Sequence, residues 1–350
     1  MKMTDIGEKG FLRDLLPSLT QTNSFINGFG NDASVVDVGL PDTAIAFKID
    51  RAARPIAAYR GWAGFEAWGR LAVTANLSDI LAVGARPTAF MLSLTVPGDW
   101  DAHIVRSIVA GAAEACREKD VAFVGGDTKE GVEANVVGAA IGVVDKQKVV
   151  SRKSARLGDA VVLAGRLGGF AGSYLLRRRG LTSDEHEVMR CLSHPECAWK
   201  EAGHLFTRGE VTSAVDLSDG LFEGLQLLTK DDFGVLVELD GLPLHKLATA
   251  ASTSLHIDPL NFAFAVGDWG MLFTMPEGDA KLAILSAPEG AQLSIIGKVV
   301  PRARSGFCSA ATGNRYRLSR NLTNEHFRRR MESETDYFSE LTSSSILLPE

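Results

Sequence analysis

The sequence predicts an α/β protein of the α+β kind with two domains, and three observations carry that prediction. The chain has 350 residues, long for a single hydrophobic core. Strand-like and helix-like apolar patterns interleave through the first 145 residues, which implies a layered sheet-and-helix domain rather than a bundle. Near residue 160 a second unit opens with an apolar strand, a glycine-rich turn and another helix. The predicted boundaries are 1–150 for the first domain, 151–320 for the second, and 321–350 for a polar tail.

In chain order, residues 11–19 read as a short helix, followed by a polar loop holding Gly30, Asn31 and Asp32. Residues 43–50 (TAIAFKID) read as a strand ending on Asp50. The irregular stretch 51–62 is cationic, with Arg51, Arg54 and Arg60. Residues 71–87 (LAVTANLSDILAVGARP) repeat apolar side chains at helical spacing and stop at Gly84 and Pro87. Asp79 stands inside that run, and a buried carboxylate without a cation or strong donors is costly. After a strand over 88–96, Asp99 opens a helix to about Lys119, an aspartate suiting the positive helix end. Residues 121–124 form a short buried strand running into Gly125-Gly126-Asp127-Thr128, where the glycines let a ligand approach the backbone. A further strand covers 135–144.

Residues 151–159, which include Arg152, connect to the second unit. There a strand over 160–164 leads through Gly165, Gly168, Gly169 and Gly172 into a helix ending at Arg179. A glycine turn between strand and helix is a usual setting for a phosphate, and equally for close strand–helix packing; neither standard phosphate-loop spacing is present. The strand over 212–215 runs into Asp216-Leu-Ser-Asp-Gly220 and a helix over 221–229, and strands near Val235, Leu272 and Ile295 complete the unit.

Composition excludes several classes. A net charge of -6 argues against general nucleic-acid binding, and no apolar run reaches membrane-spanning length. The first residues lack the apolar core of a secretion signal, and four cysteines make no disulfide framework, so a cytoplasmic protein is expected. The spacing of Cys191, His194 and Cys197 hints at a soft metal but lacks a fourth ligand, and reads better as a loop. The acids are more informative. Asp32, Asp50, Asp79, Asp127, Asp216 and Asp219 stand at turns, strand ends and helix starts. Magnesium takes hard oxygen ligands of this kind and bridges substrate phosphates, so the acids point to Mg²⁺ holding a nucleotide.

Several stretches together resemble the aminoimidazole ribonucleotide synthetase superfamily, and within it the thiamine-monophosphate kinases. They are residues 71–87, LSLTVP (92–97), VGGDTKEG (124–131), SRKSARLGD (151–159), SAVDLSDGL (213–221), GDWGMLFTMPE (267–277) and IGKV (296–299). The resemblance implies an ATP-dependent phosphoryl transferase acting on a small metabolite, with ATP and Mg²⁺ as cofactors. It also implies a homodimer formed by N-terminal sheet domains. By the same resemblance the metal ligands are Asp32, Asp50, Asp79, Asp127, Asp216 and Asp219, and the nucleotide contacts are Asp79, Gly126, Asp127, Arg152 and Ser218. Asp127 and Asp219 are the expected catalytic acids.

The chain departs from those kinases where the acceptor is held. Lys48-Ile49-Asp50 replaces Ser-Thr-Asp, and Asn31 replaces the first Asp of a Gly-Asp-Asp turn. Ala265-Val-Gly-Asp-Trp-Gly-Met271 replaces Gly-Gly-Glu-Asp-Tyr-Glu-Leu, so Gly267 and Gly270 stand for glutamates. Arg54, Gly267 and Trp269 are therefore the expected acceptor contacts, the acceptor is expected to be anionic, and thiamine monophosphate is expected to be a poor one. Two other chemistries on this scaffold are open: ATP activation of an amide or carbonyl oxygen for ligation, and nucleotide binding without catalysis.

Overall fold

The structure is a computed structural model describing residues 2–182, 184–323, 326–328 and 331–350. Two sheets organise it. The first contains β1 (Ser34–Asp37), β2 (Thr43–Ala52), β3 (Arg86–Val96), β4 (Ala122–Glu130) and β5 (Asn135–Asp145), in the order β1-β2-β5-β3-β4. Only β3 and β4 pair in parallel, because the helix Ala102–Glu118 between them carries the chain back across the sheet. The helix Glu66–Ala82 packs against that helix and the inner sheet face, and it is buried along almost its whole length. This explains a run of small and apolar residues with one acid inside it.

The second sheet contains β6 (Ala160–Ala164), β7 (Ser213–Asp216), β8 (Phe233–Glu238), β9 (Met271–Met275), β10 (Leu293–Pro301), β11 (Gly306–Cys308), β12 (Arg315–Leu318) and β13 (Leu347–Pro349). Their order is β13-β12-β11-β8-β10-β6-β9-β7. Strands β6, β7 and β9 are fully buried and mostly apolar, with Ser213, Asp216 and Thr274 as the polar exceptions, since both faces of the sheet are covered. Val161 and Leu163 pack with Ala171, Tyr174 and Leu175 on one side. Ala160 and Val162 join, on the other side, the same core as Ala72, Val73 and Leu77 of the first domain. The two domains thus share a continuous apolar interior, and Asp216 at the end of β7 is carried up to the helix that holds Asp79.

Several elements differ from the sequence reading. The first helix runs over Met3–Leu15, not 11–19. The helix expected to open at Asp99 is instead capped two residues later by Asp101, whose Oδ1 accepts from the His103 amide at 2.8 Å. The short buried strand over 121–124 is instead a nine-residue edge strand, β4, that continues through Asp127 with its side chains exposed. The Gly-Gly pair makes this continuation feasible: Gly125 has φ +106, and a Cβ on Gly126 would lie 1.8 Å from the Leu92 carbonyl oxygen. The polar tail from residue 321, expected to be a surface helix or disordered, packs on the second domain over its described residues 331–350. Its helix Glu334–Ser343 stacks Phe338 on Tyr174 with ring centroids 3.8 Å apart, and β13 pairs with β12. A few apolar residues at the right spacing, Phe338, Leu341 and Ile346, are enough to bury it.

Candidate active site

The site assembles from a loop, a strand, a helix and a strand end. Asp32 comes from the turn before β1, Asp79 from the buried helix and Asp216 from the end of β7. Their carboxylate oxygens lie within 4.8 Å of one another, and all three residues are buried. Hydroxyls fix Asp216: Ser78 Oγ donates to Oδ2 at 2.8 Å and Ser218 Oγ to Oδ1 at 3.0 Å. Arg152 forks onto Asp32, its Nε donating to Oδ2 at 2.8 Å and its Nη2 to Oδ1. Lys48 Nζ lies 2.6 Å from Asp79 Oδ2.

These cations do not balance the acids. Burial pushes the Asp32 carboxyl up to about 6 against the pull of Arg152, with the Asp216 charge adding to the rise. Burial and Asp216 likewise hold Asp79 well above the usual carboxylate range in spite of Lys48. Asp219, at the solvent-facing rim, is raised by partial loss of water around its carboxyl and by the Asp216 charge. Carboxylates held in this state are stabilised by a further cation.

The remaining site residues fall outside the three-acid cluster. Asp50 is half-exposed on β2, its Oδ2 4.0 Å from Lys48 Nζ. Asp127 lies exposed on the edge strand, 3.9 Å from Lys129 Nζ. Asp219 is exposed on the loop entering the helix Leu221–Leu227, and its carbonyl oxygen accepts from Thr323 Oγ1 at 2.7 Å. Asn31, uncharged where the kinases carry an acid, bolts its turn to the domain connection: its Oδ1 accepts from the Arg152 amide at 2.7 Å.

Gly267 and Trp269 line a cavity of about 880 Å³, together with Arg166, Arg190, Lys200 and Lys246. Arg54 is not on that wall; its guanidinium lies 4.9 Å from the Phe65 ring centroid. Asp268 lines the same cavity and accepts from the Gly168 amide at 2.6 Å and the Phe170 amide at 2.9 Å. The glycine turn at 165–172 is therefore closed by the chain's own carboxylate, which settles its reading in favour of packing over phosphate binding. Burial raises that carboxyl to about 6. Two functional placements were missed in the sequence: this cap, and Lys48. Lys48 was discoverable, since it shares a strand face with Ala44 and Ala46 and so points inward.

Gly267 has φ +106, and a Cβ there would lie 2.4 Å from the Phe170 ring. A glutamate does not fit this loop without rebuilding it. Gly267→Glu is expected to destabilise the protein by about 1–3 kcal/mol and not to create a thiamine-phosphate site. Denaturant unfolding checks the first expectation, and wild-type stability in the variant would refute it.

Cys191 does not meet His194 and Cys197. It lies near Glu187 and His245, with Sγ 4.0 Å and Glu187 Oε1 3.2 Å from His245 Nε2. His245 Nδ1 accepts from the Leu247 amide at 3.2 Å, an arrangement in which Nε2–H donates a hydrogen bond to Glu187. Glu187, Cys191 and His245 place ligand atoms within 4.8 Å of one another.

Comparison with known proteins follows the same lines. The family model for the AIR synthase related protein N-terminal domain matches residues 30–144, and that for its C-terminal domain matches 156–307. A thiamine-monophosphate kinase of Pyrococcus abyssi is 32% identical over 229 residues, 63% of this chain and 71% of that protein. One of Halobacterium salinarum is 31% identical over 290 residues, 82% of this chain and 92% of that protein. The solved structure of AaThiL complexed with AMPPCP and TMP superposes with a TM-score of 0.75 at 22% identity, covering 92% of this chain and 97% of that one. Hydrogenase maturation protein HypE in complex with ATP superposes with a TM-score of 0.62 at 22% identity, covering 89% and 95%. At such identities the structural likeness speaks to the fold.

Proposed function

Since the chain belongs to the AIR synthase related family and groups there with thiamine-monophosphate kinases, making it an ATP-dependent kinase, we propose that it phosphorylates a small anionic metabolite with Mg-ATP. The convergence of Asp32, Asp79 and Asp216 carries this reading. Their donor set is hard oxygen only, and Lys48 and Arg152 leave it short of positive charge, which fits magnesium. Asp32, Asp50, Asp79, Asp127, Asp216 and Asp219 are the acids that would hold the ions. Bound magnesium supplies neutralisation of phosphate charge. The chain's residues do the rest. Arg152 keeps Asp32 oriented and Ser78 and Ser218 hold Asp216 in one rotamer, while Gly126, packed against the Leu92 carbonyl, lets the edge strand run on to Asp127 and the nucleotide it would face. An acceptor phosphate is already an anion near neutral pH and needs no general base.

The cavity beside Gly267 and Trp269 is lined by Lys119, Arg166, Arg190, Lys200 and Lys246 against Glu187, Glu196, Glu201 and Asp268, a small excess of positive charge that supports an anionic acceptor. Thiamine monophosphate is expected to be a poor acceptor, and turnover of it at roughly 1 per second or faster would overturn this. A screen of acceptors with γ-labelled ATP tests the whole reading. A labelled acceptor supports it, whereas ADP, inorganic phosphate and a condensed product would indicate ligation instead.

The assembly reading is a homodimer through the first sheet. Its outer face leaves Phe47 42% and Ile49 70% exposed, with Met91 alongside, a row of apolar side chains that favours a partner. Light scattering at micromolar concentration is expected to give about twice the 37.5 kDa chain mass, and a stable monomer would refute this arrangement. No helix among the described residues is long and apolar enough to cross a membrane. The four free cysteines support a place in the reducing cytoplasm.

A further inference from the structure

The acid cluster already contains a cation of the chain's own. On β2, every second residue faces inward, and Ala44, Ala46 and Lys48 share that face. The pleat therefore aims the Lys48 stem into the cluster. Its side chain is only 23% exposed and that of Asp79 7%, with 2.6 Å between Nζ and Oδ2. Asp50, on the same face two residues on, is within 4.0 Å of the same ammonium. Lys48 is thus enclosed by a helix acid and a strand acid, with Asp216 and Asp32 behind Asp79.

An ammonium 2.6 Å from Asp79 Oδ2 competes with a divalent ion for that oxygen, and its charge repels an ion placed at the neighbouring one. Magnesium needs the oxygen at about 2.0–2.1 Å and brings its own charge and waters. Arg152 makes the equivalent contact with Asp32 from the side of the domain connection, its guanidinium reaching both carboxylate oxygens. Lys48 instead enters from the sheet.

Resting on the phosphoryl-transfer reading for the presence of magnesium, we infer that Lys48 takes the place of one divalent ion in this site. Asp79 then anchors Lys48 and does not ligate magnesium, and the chain folds around its buried acids without a metal at that position. Removing the ammonium leaves Asp79 buried and unpaired beside Asp216, a costly arrangement that a divalent ion would relieve.

The test counts Mn²⁺ bound per chain, by spectroscopic titration with a non-hydrolysable ATP analogue, and reads the metal-free thermal midpoint. Lys48→Met is expected to lower the metal-free midpoint by several degrees, to regain it on addition of Mn²⁺ alone, and to bind one more ion than the wild type. The double variant Lys48→Met/Asp79→Asn, which removes the pair together, is expected to return to the wild-type midpoint and ion count. Should Lys48→Met fail to fold, Asp79→Asn alone decides: an unchanged ion count supports the inference, and a count lower by one overturns it. An unchanged count in a folded Lys48→Met also overturns it, while leaving the kinase reading intact. Absence of any Mn²⁺ binding in the wild type would remove both.

Discussion

Asp127→Asn and Asp219→Asn are each expected to reduce phosphoryl transfer by at least about a hundredfold to a thousandfold while leaving the fold unchanged. Both carboxylates are exposed, one on the edge strand β4 and one on the loop after Asp216, so neither supports the core. Replacing an exposed acid by its amide removes charge without leaving a buried group unpaired, which keeps the stability cost small. The catalytic cost is large because the proposed chemistry rests on fixed charges around the transferring phosphoryl group. Losing one such group typically costs that much in turnover. Single-turnover measurements with labelled ATP, alongside thermal midpoints, check both halves. Wild-type turnover in either variant would sink the assignment of that acid.

The second large effect is on stability. Mg-ATP is expected to raise the unfolding midpoint by several degrees, and ATP with a chelator much less. A ligand at a hundred times its dissociation constant contributes about 2.7 kcal/mol. At this chain size each kcal/mol corresponds to roughly 2–4 °C or somewhat less. The requirement for metal follows from the charges. The Asp32 carboxyl is raised to about 6, and burial and Asp216 hold Asp79 above the usual carboxylate range, so a nucleotide without a cation adds negative charge to a site that already resists it. Equal shifts with and without chelator would remove magnesium from the proposal. The same measurement on Lys48→Met connects to the inference above, since that variant should respond to the metal alone.

Much of the architecture was legible from local pattern. The buried helix around Asp79 announced itself through apolar spacing and its Gly84 stop, and β2 and β5 through alternation, because periodicity and capping are properties of a short window. Those windows also showed that Asp79 is an acid in an apolar setting, hence in need of a partner. They did not show which partner. Asp32, Asp79 and Asp216 lie as much as 184 residues apart, and they meet only because the domains share one core and Ser78 reaches Asp216 across it. The inward aim of Lys48, the capping of the glycine turn by Asp268 and the burial of the tail through Phe338 depend on contacts between distant segments in the same way. The sequence by itself determined the fold class, the helix and strand positions and the chemical type of the site. Only the tertiary structure decided which acids converge, which stay at the rim, and which charge the chain supplies for itself. A carboxylate's partner is set by distance in space, and that distance is created by long-range packing that no local window contains.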